Sequence, residues 1–282
     1  MKSTDTDRLI EMALSEDAVS RDLTGIATIA ETQQGAARIT AKAAGRLSGV
    51  QLARKVFEQV DPAIEQKWLV ADGDHVKAGR LLCELKGPMR SLLAAERTAL
   101  NFLQHLSGIA TATASYVEAL SGTNCQVVDT RKTTPGMRKP EKAAVVHGGG
   151  GNHRMDLQSG MLIKENHIEA CGSITEAVGR CYALSDEVWV EVECETFAQL
   201  EEAIHACPDI ILLDNMTPDE VAKARKITPG SILLEASGNI TLDNARAYAE
   251  TGVDRIAIGA ITHSAPALDL SMRVTSETTG AA

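Results

Sequence analysis

The run from Asp129 to Arg154, DTRKTTPGMRKPEKAAVVHGGGGNHR, concentrates side chains that could bind an anion. Its basic residues include Arg131, Lys132, Arg138, Lys139, Lys142, His153 and Arg154. The whole chain is acidic, with a formal net charge of −10, so clustered positive charge indicates an anionic ligand. A solvated basic loop is the alternative interpretation. Four glycines at 148–151 favour the ligand, because they let backbone amides approach it closely.

Polar or small residues also follow each of six short apolar runs in the second half of the chain. These runs lie at 126–128, 161–163, 188–192, 210–213, 232–234 and 255–258. They are rich in Val, Ile and Leu, which is typical of strands buried on both faces. The residues at their ends are Thr130 with Arg131, Lys164, Glu193, Asp214, Ser237 with Gly238, and Gly259. Because parallel strands of a barrel end on one face, we expect these residues to share a pocket.

The residue types in this pocket indicate three kinds of binding. The cationic group is Arg131, His153, Arg154 and Lys164. It suits a substrate with more than one carboxylate, since a guanidinium binds a carboxylate through two hydrogen bonds. Glu193 and Asp214 suit sugar hydroxyls or Mg²⁺, and the segments EASGN and AIGAIT suit a phosphate group. Together they predict a phosphosugar that reacts with a small acid.

Helix-start signals follow most of the apolar runs, and they define the architecture. Ser173, Thr196 and Thr217 each precede a Glu or Gln by three residues, as in a capping box, and Thr241 is a further expected cap. Alternating strands and helices with short loops predict parallel strands. Six such units favour a closed or nearly closed barrel over an open sheet, and no GxGxxG motif follows the first strand.

The first hundred residues predict a different kind of domain. Helices are expected over 7–16 and 52–60, and strands within 36–50 and 66–86, which indicates a small α+β sandwich. Asp17, Asp22 and Thr24 are expected to form turns and helix caps rather than a metal site. A long helix over 91–120 connects this domain to the barrel, and Gly108 is expected to bend or split it.

Composition excludes several classes of function. Aromatic residues make up 3% of the chain, which disfavours base stacking on single-stranded nucleic acid. No apolar run approaches the roughly 20 residues of a membrane span, and the N-terminal residues are too acidic for a secretory signal. The six scattered cysteines form no CxxC pair and are expected to be buried free thiols. We therefore expect a cytoplasmic protein.

Eight segments carry a resemblance to a known family. In chain order they are ERTALN, DTRKTTPGMR, HGGGGNHR, IKENH, EVE, LLDN, EASGN and IGAITHS. In sequence and in order, these segments resemble those of the quinolinate phosphoribosyltransferase family. Its members are pentosyltransferases and are also called carboxylating nicotinate-nucleotide pyrophosphorylases. The resemblance implies an N-terminal α/β sandwich and an incomplete, seven-stranded α/β barrel. We place the sandwich and connecting helix at 1–110, the barrel at 111–266, and the tail 267–282 with the sandwich.

The resemblance also implies a reaction and its site. Quinolinate and phosphoribosyl pyrophosphate would give nicotinate mononucleotide, pyrophosphate and CO₂ with Mg²⁺, in NAD biosynthesis, within a homodimer. Lys164, Glu193 and Asp214 would be catalytic, and the two carboxylates would hold Mg²⁺ or the ribose, directly or through water or substrate. Quinolinate would contact Arg131, His153, Arg154, Lys164 and, from the partner subunit, Arg97. The phosphoribosyl donor would contact Lys132, Ser237, Gly238, Asn239 and Gly259. Thr130, Ile258 and Ala260 would be further substrate-binding residues.

The remaining parts of the basic run are assigned to supporting roles. Arg138, Lys139 and Lys142 are expected to steer anions or to face solvent, and the glycines at 148–151 to form a flexible link that delivers His153 and Arg154.

Three other functions stay open at this point. A member of the same family could transfer the phosphoribosyl group to a different acid. A barrel lyase could use Lys164 to form an imine. A protein without catalytic activity could sense a phosphate or nucleotide, although the presence of Lys164, Glu193 and Asp214 favours an enzyme.

Overall fold

A computed structural model describes residues 5–276, which form two compact units. Within the described part, the first unit contains residues 5–112, 146–148 and 265–276, and the second contains 113–145 and 149–264. The division after Ala112 lies close to the boundary that we drew after residue 110. Assignment of 146–148 to the first unit was not predicted, and residues 277–282 of the expected tail lie outside the described part.

The N-terminal half contains α1 (Asp5–Glu16), a short 3-10 helix (Val19–Arg21), α2 (Leu23–Thr28), β1 (Gln34–Ala41), β2 (Gly45–Arg46), α3 (Val50–Val60), β3 (Glu65–Trp68), β4 (His75–Val76), β5 (Leu81–Pro88), α4 (Met89–Ala119) and β6 (Gln126–Val128). The remainder contains α5 (Arg138–His147), β7 (Met161–Ile163), α6 (Glu165–Cys171), α7 (Ile174–Leu184), β8 (Val190–Cys194), α8 (Phe197–Ala206), β9 (Ile210–Asp214), α9 (Pro218–Ile227), β10 (Leu233–Ser237), α10 (Leu242–Ala249), β11 (Arg255–Ala257), α11 (Ala260–His263) and β12 (Leu270–Ser276).

The first unit is built on an antiparallel sheet of order β12-β1-β5-β3. Alternate residues of β1 are buried, including Ala37, Ile39 and Ala41, so one face of the sheet contributes to the core. Asp22 caps α2 by accepting hydrogen bonds from the backbone amides of Thr24 and Gly25. The expected capping role of this polar loop is therefore confirmed.

The long helix α4 runs without interruption through Gly108, so the expected split of this helix is wrong. Gly108 has a packing role instead. A Cβ atom at this position would collide with the carbonyl oxygen of Pro266 and would lie 3.0 Å from the Cα atom of Ala267. Glycine is therefore needed for the close approach of a second backbone segment.

The second unit contains a parallel sheet of order β6-β11-β10-β9-β8-β7. No pairing closes this sheet between β6 and β7 in the described residues, and an isolated parallel bridge between Val128 and Gly151 extends the β6 edge. The predicted fold class, an N-terminal α/β domain followed by an incomplete α/β barrel, is confirmed. Capping boxes at Thr196 and Thr217 begin two of the helices, as predicted, and the expected cap at Thr241 forms a capping box as well. Ser173, also expected to begin a capping box, caps α7 by accepting a hydrogen bond from the Glu176 amide.

All six cysteines are free thiols, as expected. Their predicted burial holds for Cys83 and Cys194, whereas Cys207 is exposed. Within residues 5–276, no helix has both the length and the apolar character that a membrane span requires.

Candidate active site

The parallel strands determine how deep each side chain of the site lies and which way it points. Lys164 directly follows β7, while Glu193, Asp214 and Ser237 lie at or near the ends of β8, β9 and β10. Side chains two residues apart on a strand share a face, so each of these residues has a deeper neighbour on the same side. The deeper neighbours are Leu162, Glu191, Leu212 and Glu235. The side chains at the strand ends therefore form a polar upper layer, and their deeper neighbours form a lower layer of two leucines and two glutamates.

A cavity of about 270 Å³ opens at these strand ends. It is lined by Thr130, Arg131, Lys132, His153, Arg154, Leu162, Lys164, Glu193, Leu212, Asp214, Glu235, Ser237 and Ala257. The structure thus brings together nine of the predicted site residues. The predicted residues that do not line this cavity are Gly238, Asn239, Ile258, Gly259 and Ala260, and Arg97, which is exposed on α4 in the first unit.

An ion pair and a second carboxylate form the acidic side of the cavity. The Lys164 ammonium contacts the Glu193 carboxylate, and the Lys164 side chain is 45% exposed. Burial and then the neighbouring Glu193 charge raise the pKa of the Asp214 carboxyl above its ordinary value, while Lys164 and Lys132 oppose that shift. Two carboxylates that repel each other in this way attract a cation or hydroxyl donors.

The guanidinium groups of Arg131 and Arg154 form the cationic side. Burial and then Arg131 lower the pKa of Arg154, so the two groups lie close enough to repel each other. Arg154 donates a hydrogen bond to the Gly160 carbonyl oxygen at 3.0 Å. The buried Nε atom of Arg131 has no hydrogen-bond partner among the described residues. Excess positive charge with an unused donor is suited to a carboxylate ligand.

A buried ion pair supports this cationic side. The Lys142 ammonium contacts the Asp129 carboxylate, and both side chains are 0% exposed. Lys142 also donates to the His153 carbonyl oxygen at 2.9 Å, and Asp129 accepts from the His153 amide at 2.8 Å. The prediction that Lys142 steers anions or faces solvent is therefore wrong. Its charge is used to fix the backbone that carries His153 and Arg154.

Arg138 has a similar structural role, so its expected exposure is also wrong. Its guanidinium donates to the Thr133 hydroxyl at 3.0 Å and to the carbonyl oxygens of Met155 and Arg131 at 3.3 and 3.4 Å. These bonds stabilise the loop that presents Arg131. The neighbouring Lys139 is exposed, as predicted.

The glycine run is closely packed rather than a flexible link. A Cβ atom at Gly150 would lie 2.8 Å from Thr113 Cγ2 and 3.0 Å from Val145 Cγ1. The Gly151 amide donates to the Val127 carbonyl oxygen at 2.8 Å, which attaches the run to the edge of β6. The glycines therefore deliver His153 and Arg154 through tight packing and hydrogen bonds.

Both ring nitrogens of His153 are engaged within the protein. Nδ1 accepts a hydrogen bond from the Arg154 amide at 2.7 Å, and Nε2 lies 2.8 Å from a Glu191 carboxylate oxygen. The ring also makes an edge contact with Trp189 at a centroid distance of 5.3 Å. His153 lines the cavity together with the other members of the predicted cationic group. Its contacts with Arg154, Glu191 and Trp189 hold the ring in place.

Sequence reasoning missed the buried charges beneath the cavity, namely Glu191, Glu235 and Arg255. Arg255 contacts Glu235 and lies 3.6 Å from Glu191, and both carboxylates are fully buried. Possible metal-ligand atoms of His153, Glu191 and Glu235 lie within 4.8 Å of one another. The Arg255 guanidinium already supplies a cation there, so the group fits an ion-pair cluster better than a metal site. The signal that could have revealed these residues is a charged side chain at an inward-facing position of a strand that is otherwise apolar.

The expected phosphate end has two distinct parts. Gly238 and Asn239 have positive φ angles of 91° and 52°, and the Asn239 side chain donates to Asn215 Oδ1 at 3.1 Å. On the second part, a Cβ atom at Gly259 would lie 3.0 Å from Lys132 Cδ. The structure therefore brings the Lys132 side chain against the turn that begins α11.

Comparisons with known proteins agree with this geometry. A family model described as "Quinolinate phosphoribosyl transferase, C-terminal domain" matches residues 109–273, and the corresponding N-terminal domain model matches residues 22–107. The chain belongs to the quinolinate phosphoribosyl transferase family. The family predicted from the eight sequence segments is thus confirmed.

Other quinolinate phosphoribosyl transferase relatives match along nearly the whole chain. The probable carboxylating nicotinate-nucleotide pyrophosphorylase of Bacillus subtilis is 44% identical over 269 residues, covering 95% of this chain and 93% of that protein. The Mycobacterium leprae enzyme of the same name is 40% identical, covering 93% and 95%. A solved nicotinate-nucleotide pyrophosphorylase from Francisella tularensis has a TM-score of 0.93 and 42% identity, covering 97% and 98%.

Proposed function

We propose that this chain transfers the phosphoribosyl group of phosphoribosyl pyrophosphate to quinolinate, with loss of CO₂. The products are nicotinate mononucleotide, pyrophosphate and CO₂, in NAD biosynthesis. The observation that carries this proposal is one cavity that combines two close guanidinium groups with two carboxylates at neighbouring strand ends. A pyridine dicarboxylate needs the two guanidinium groups, and a ribose that becomes positively charged needs the two carboxylates.

The cationic side would bind and orient quinolinate. Arg131 and Arg154 would bind its carboxylates, and the Lys164 ammonium would complete the charge balance on the side of Glu193. Binding of both carboxylates would hold the pyridine nitrogen close to the ribose C1 atom, so that the two reacting atoms are aligned before the transfer. Good alignment of this kind lowers a barrier by about 7–11 kcal/mol.

The acidic side would stabilise the sugar during transfer. As the bond from C1 to pyrophosphate breaks, positive charge develops on the ribose ring. The Glu193 and Asp214 carboxylates are fixed at the strand ends before the reaction, so they stabilise that charge without reorganisation.

The same two carboxylates fit Mg²⁺. This ion prefers one or two carboxylates, with water and substrate phosphate oxygens as its other ligands. Burial is the largest cause of the raised pKa of Asp214, and the repulsion from Glu193 that adds to it would be relieved by a cation between the two carboxylates. When bound, Mg²⁺ would neutralise charge on the departing pyrophosphate.

The phosphoribosyl donor would extend toward the small residues at the other strand ends. Lys132 would bind its phosphates, beside Gly259, which its side chain approaches. The contacts that we assign to the 5′-phosphate and ribose are Thr130, Ser237, Gly238, Asn239, Ile258, Gly259 and Ala260. Ile258 is buried, so its contribution would come from the backbone.

We further propose a homodimer in which Arg97 reaches the partner subunit's site. Support comes from its exposure on α4, where its charge is open to solvent beside Glu96. Mixing an Arg97→Ala subunit with a Lys164→Ala subunit should restore part of the activity lost in each. If subunits exchange without recovery, Arg97 acts in its own chain. A cytoplasmic location, in keeping with six free cysteines, belongs to the same proposal and is tested by cell fractionation.

An acceptor comparison tests the proposed reaction against its alternatives. The protein is supplied with phosphoribosyl pyrophosphate and Mg²⁺, and pyrophosphate release is measured with quinolinate or with nicotinate as the acid. We expect release with quinolinate. Release with nicotinate alone would assign the chain to transfer to a different acid, and borohydride trapping of substrate on Lys164 would assign it to an imine-forming lyase. Phosphate binding without turnover would indicate a sensor.

A further inference from the structure

A buried charged cluster, formed by His153, Glu191, Glu235 and Arg255, lies at the base of the cavity. The His153 Nε2 atom is 2.8 Å from Glu191 and 3.7 Å from Glu235, and Arg255 contacts Glu235. Glu191 and Glu235 are both 0% exposed. Of these two carboxyl groups, Glu235 lines the cavity, on a floor shared with Leu162, Leu212 and Ala257.

Hydrogen bonding fixes the orientation of the His153 ring. Nδ1 accepts a hydrogen bond from the Arg154 amide. Nε2 is the ring nitrogen that faces Glu191, and it donates its hydrogen to that carboxylate. Glu191 is thus engaged as a hydrogen-bond acceptor.

The surroundings of Glu235 favour its protonated form. Glu191 and Glu235 are both fully buried and Arg255 lies beside both, so a second ionised carboxyl in this cluster is unfavourable away from water. Burial, and then the neighbouring Glu191 charge, raise the pKa of the Glu235 carboxyl well above its ordinary value. The Glu235 carboxyl at the base of the cavity therefore keeps its proton to higher pH than an ordinary glutamate.

The proposed reaction needs a proton at this place. When CO₂ leaves, the bond between the pyridine carbon and the carboxylate breaks, and the electron pair stays on that carbon beside the positively charged ring nitrogen. A proton must then bind to the carbon to give nicotinate mononucleotide. An apolar floor of Leu162, Leu212 and Ala257 is where a flat aromatic ring would pack. Glu235 also lines the cavity there, and both of its carboxyl oxygens are buried without a hydrogen-bond partner among the described residues.

The other cavity groups are less suited to this proton transfer. The guanidinium groups of Arg131 and Arg154 do not release protons at neutral pH. The Lys164 ammonium is already engaged in an ion pair with the Glu193 carboxylate. Glu235 differs from these groups because it lies at the floor where the ring would pack.

We propose that Glu235 is the general acid that protonates the pyridine carbon as CO₂ leaves, an inference that rests on the proposed function. The carboxyl proton moves to the ring carbon, and the Glu235 carboxylate that remains is stabilised by Arg255, which already contacts it. Solvent returns the proton after the product leaves. The transfer requires no oxidant, reductant or further reactant.

Glu235→Gln is the direct test, because glutamine keeps the size of the side chain but has no acidic proton. In a single turnover, pyrophosphate release should stay within about threefold of the wild-type rate, while CO₂ release falls by about 100-fold, as for loss of a general acid. Undecarboxylated mononucleotide should accumulate on the enzyme. Glu235→Asp, which keeps an acid, should recover part of the CO₂ rate. Glu250→Gln, an exposed glutamate paired with Arg246, is the matched control and should leave both rates unchanged.

Several outcomes would overturn this role. Wild-type CO₂ release in Glu235→Gln would do so, and so would an equal fall in both steps, since that pattern indicates a structural residue. If the variant does not fold, the wild type is measured in D₂O, where CO₂ release should slow and pyrophosphate release should not. No slowing would contradict proton transfer in that step. A wild type that forms no pyrophosphate from quinolinate would refute the proposed function itself, which separates the two failures.

Discussion

Replacing Lys142 by methionine tests whether the buried ion pair supports the site, because methionine keeps the length of the side chain and removes its charge. The variant leaves the Asp129 carboxylate, 0% exposed, without its cation. Removing one partner of a buried pair destabilises a protein by about 3–5 kcal/mol. Asp129 still accepts from the His153 amide and the Asn152 side chain, so we expect a loss near the lower end of that range.

Urea unfolding measures the effect, with Lys139→Met as the matched control. Lys139 lies on the same helix but is exposed, so its replacement should change the free energy of unfolding by less than about 1 kcal/mol. The double variant Asp129→Asn/Lys142→Met removes both charges and should regain much of the loss. A Lys142→Met variant within about 1 kcal/mol of the wild type would refute the structural role of this pair.

The loss should also depend on pH. Burial is the largest cause of the raised pKa of Asp129, and Lys142 opposes it, so removing Lys142 raises that pKa further. The folded variant then binds a proton at pH values where the unfolded chain has released it. Its stability therefore falls as pH rises from the ordinary aspartate pKa through the raised folded value. The deficit relative to the wild type should be larger at neutral pH than in mild acid.

Three further expectations follow from the structure. Gly150→Ala should lower the free energy of unfolding by about 1–3 kcal/mol through overpacking, whereas Gly179→Ala, at an open position on α7, should raise it by about 0.5–1 kcal/mol in urea titrations. Because the pKa of Asp214 is raised, donor binding with Mg²⁺ should weaken on acidification at higher pH than for an ordinary aspartate, and calorimetry with Asp214→Asn should show no such dependence on that group. Lys164→Ala should weaken quinolinate binding and lower turnover in steady-state assays, and unchanged kinetics would remove Lys164 from the site.

The sequence was sufficient to predict the strands of the second unit and the residues at their ends. Each strand is a short Val-, Ile- and Leu-rich run, and parallel topology alone brings Lys164, Glu193 and Asp214 to one face. The level of each side chain then follows from the alternation along a strand. Each of these patterns depends on residues that are close together in the sequence, so it can be recognised without knowledge of the fold.

The supporting charges could not be predicted in the same way. Lys142 and Lys139 lie on one short helix, and only the position of Asp129 at the end of β6 decides which lysine is buried. Burial of Glu235 depends likewise on Arg255, which is presented by a different strand. Such pairings depend on three-dimensional proximity between distant segments, which hydrophobic periodicity does not report.

The stoichiometry of product release tests the central claim most directly. The protein would be given quinolinate, phosphoribosyl pyrophosphate and Mg²⁺, and pyrophosphate and CO₂ would be measured together over the same time course. We expect equal amounts of both products from the wild type and little of either from Lys164→Ala. Pyrophosphate without CO₂ from the wild type, or equal activity in Lys164→Ala, would contradict the assignment of this cavity to decarboxylating phosphoribosyl transfer.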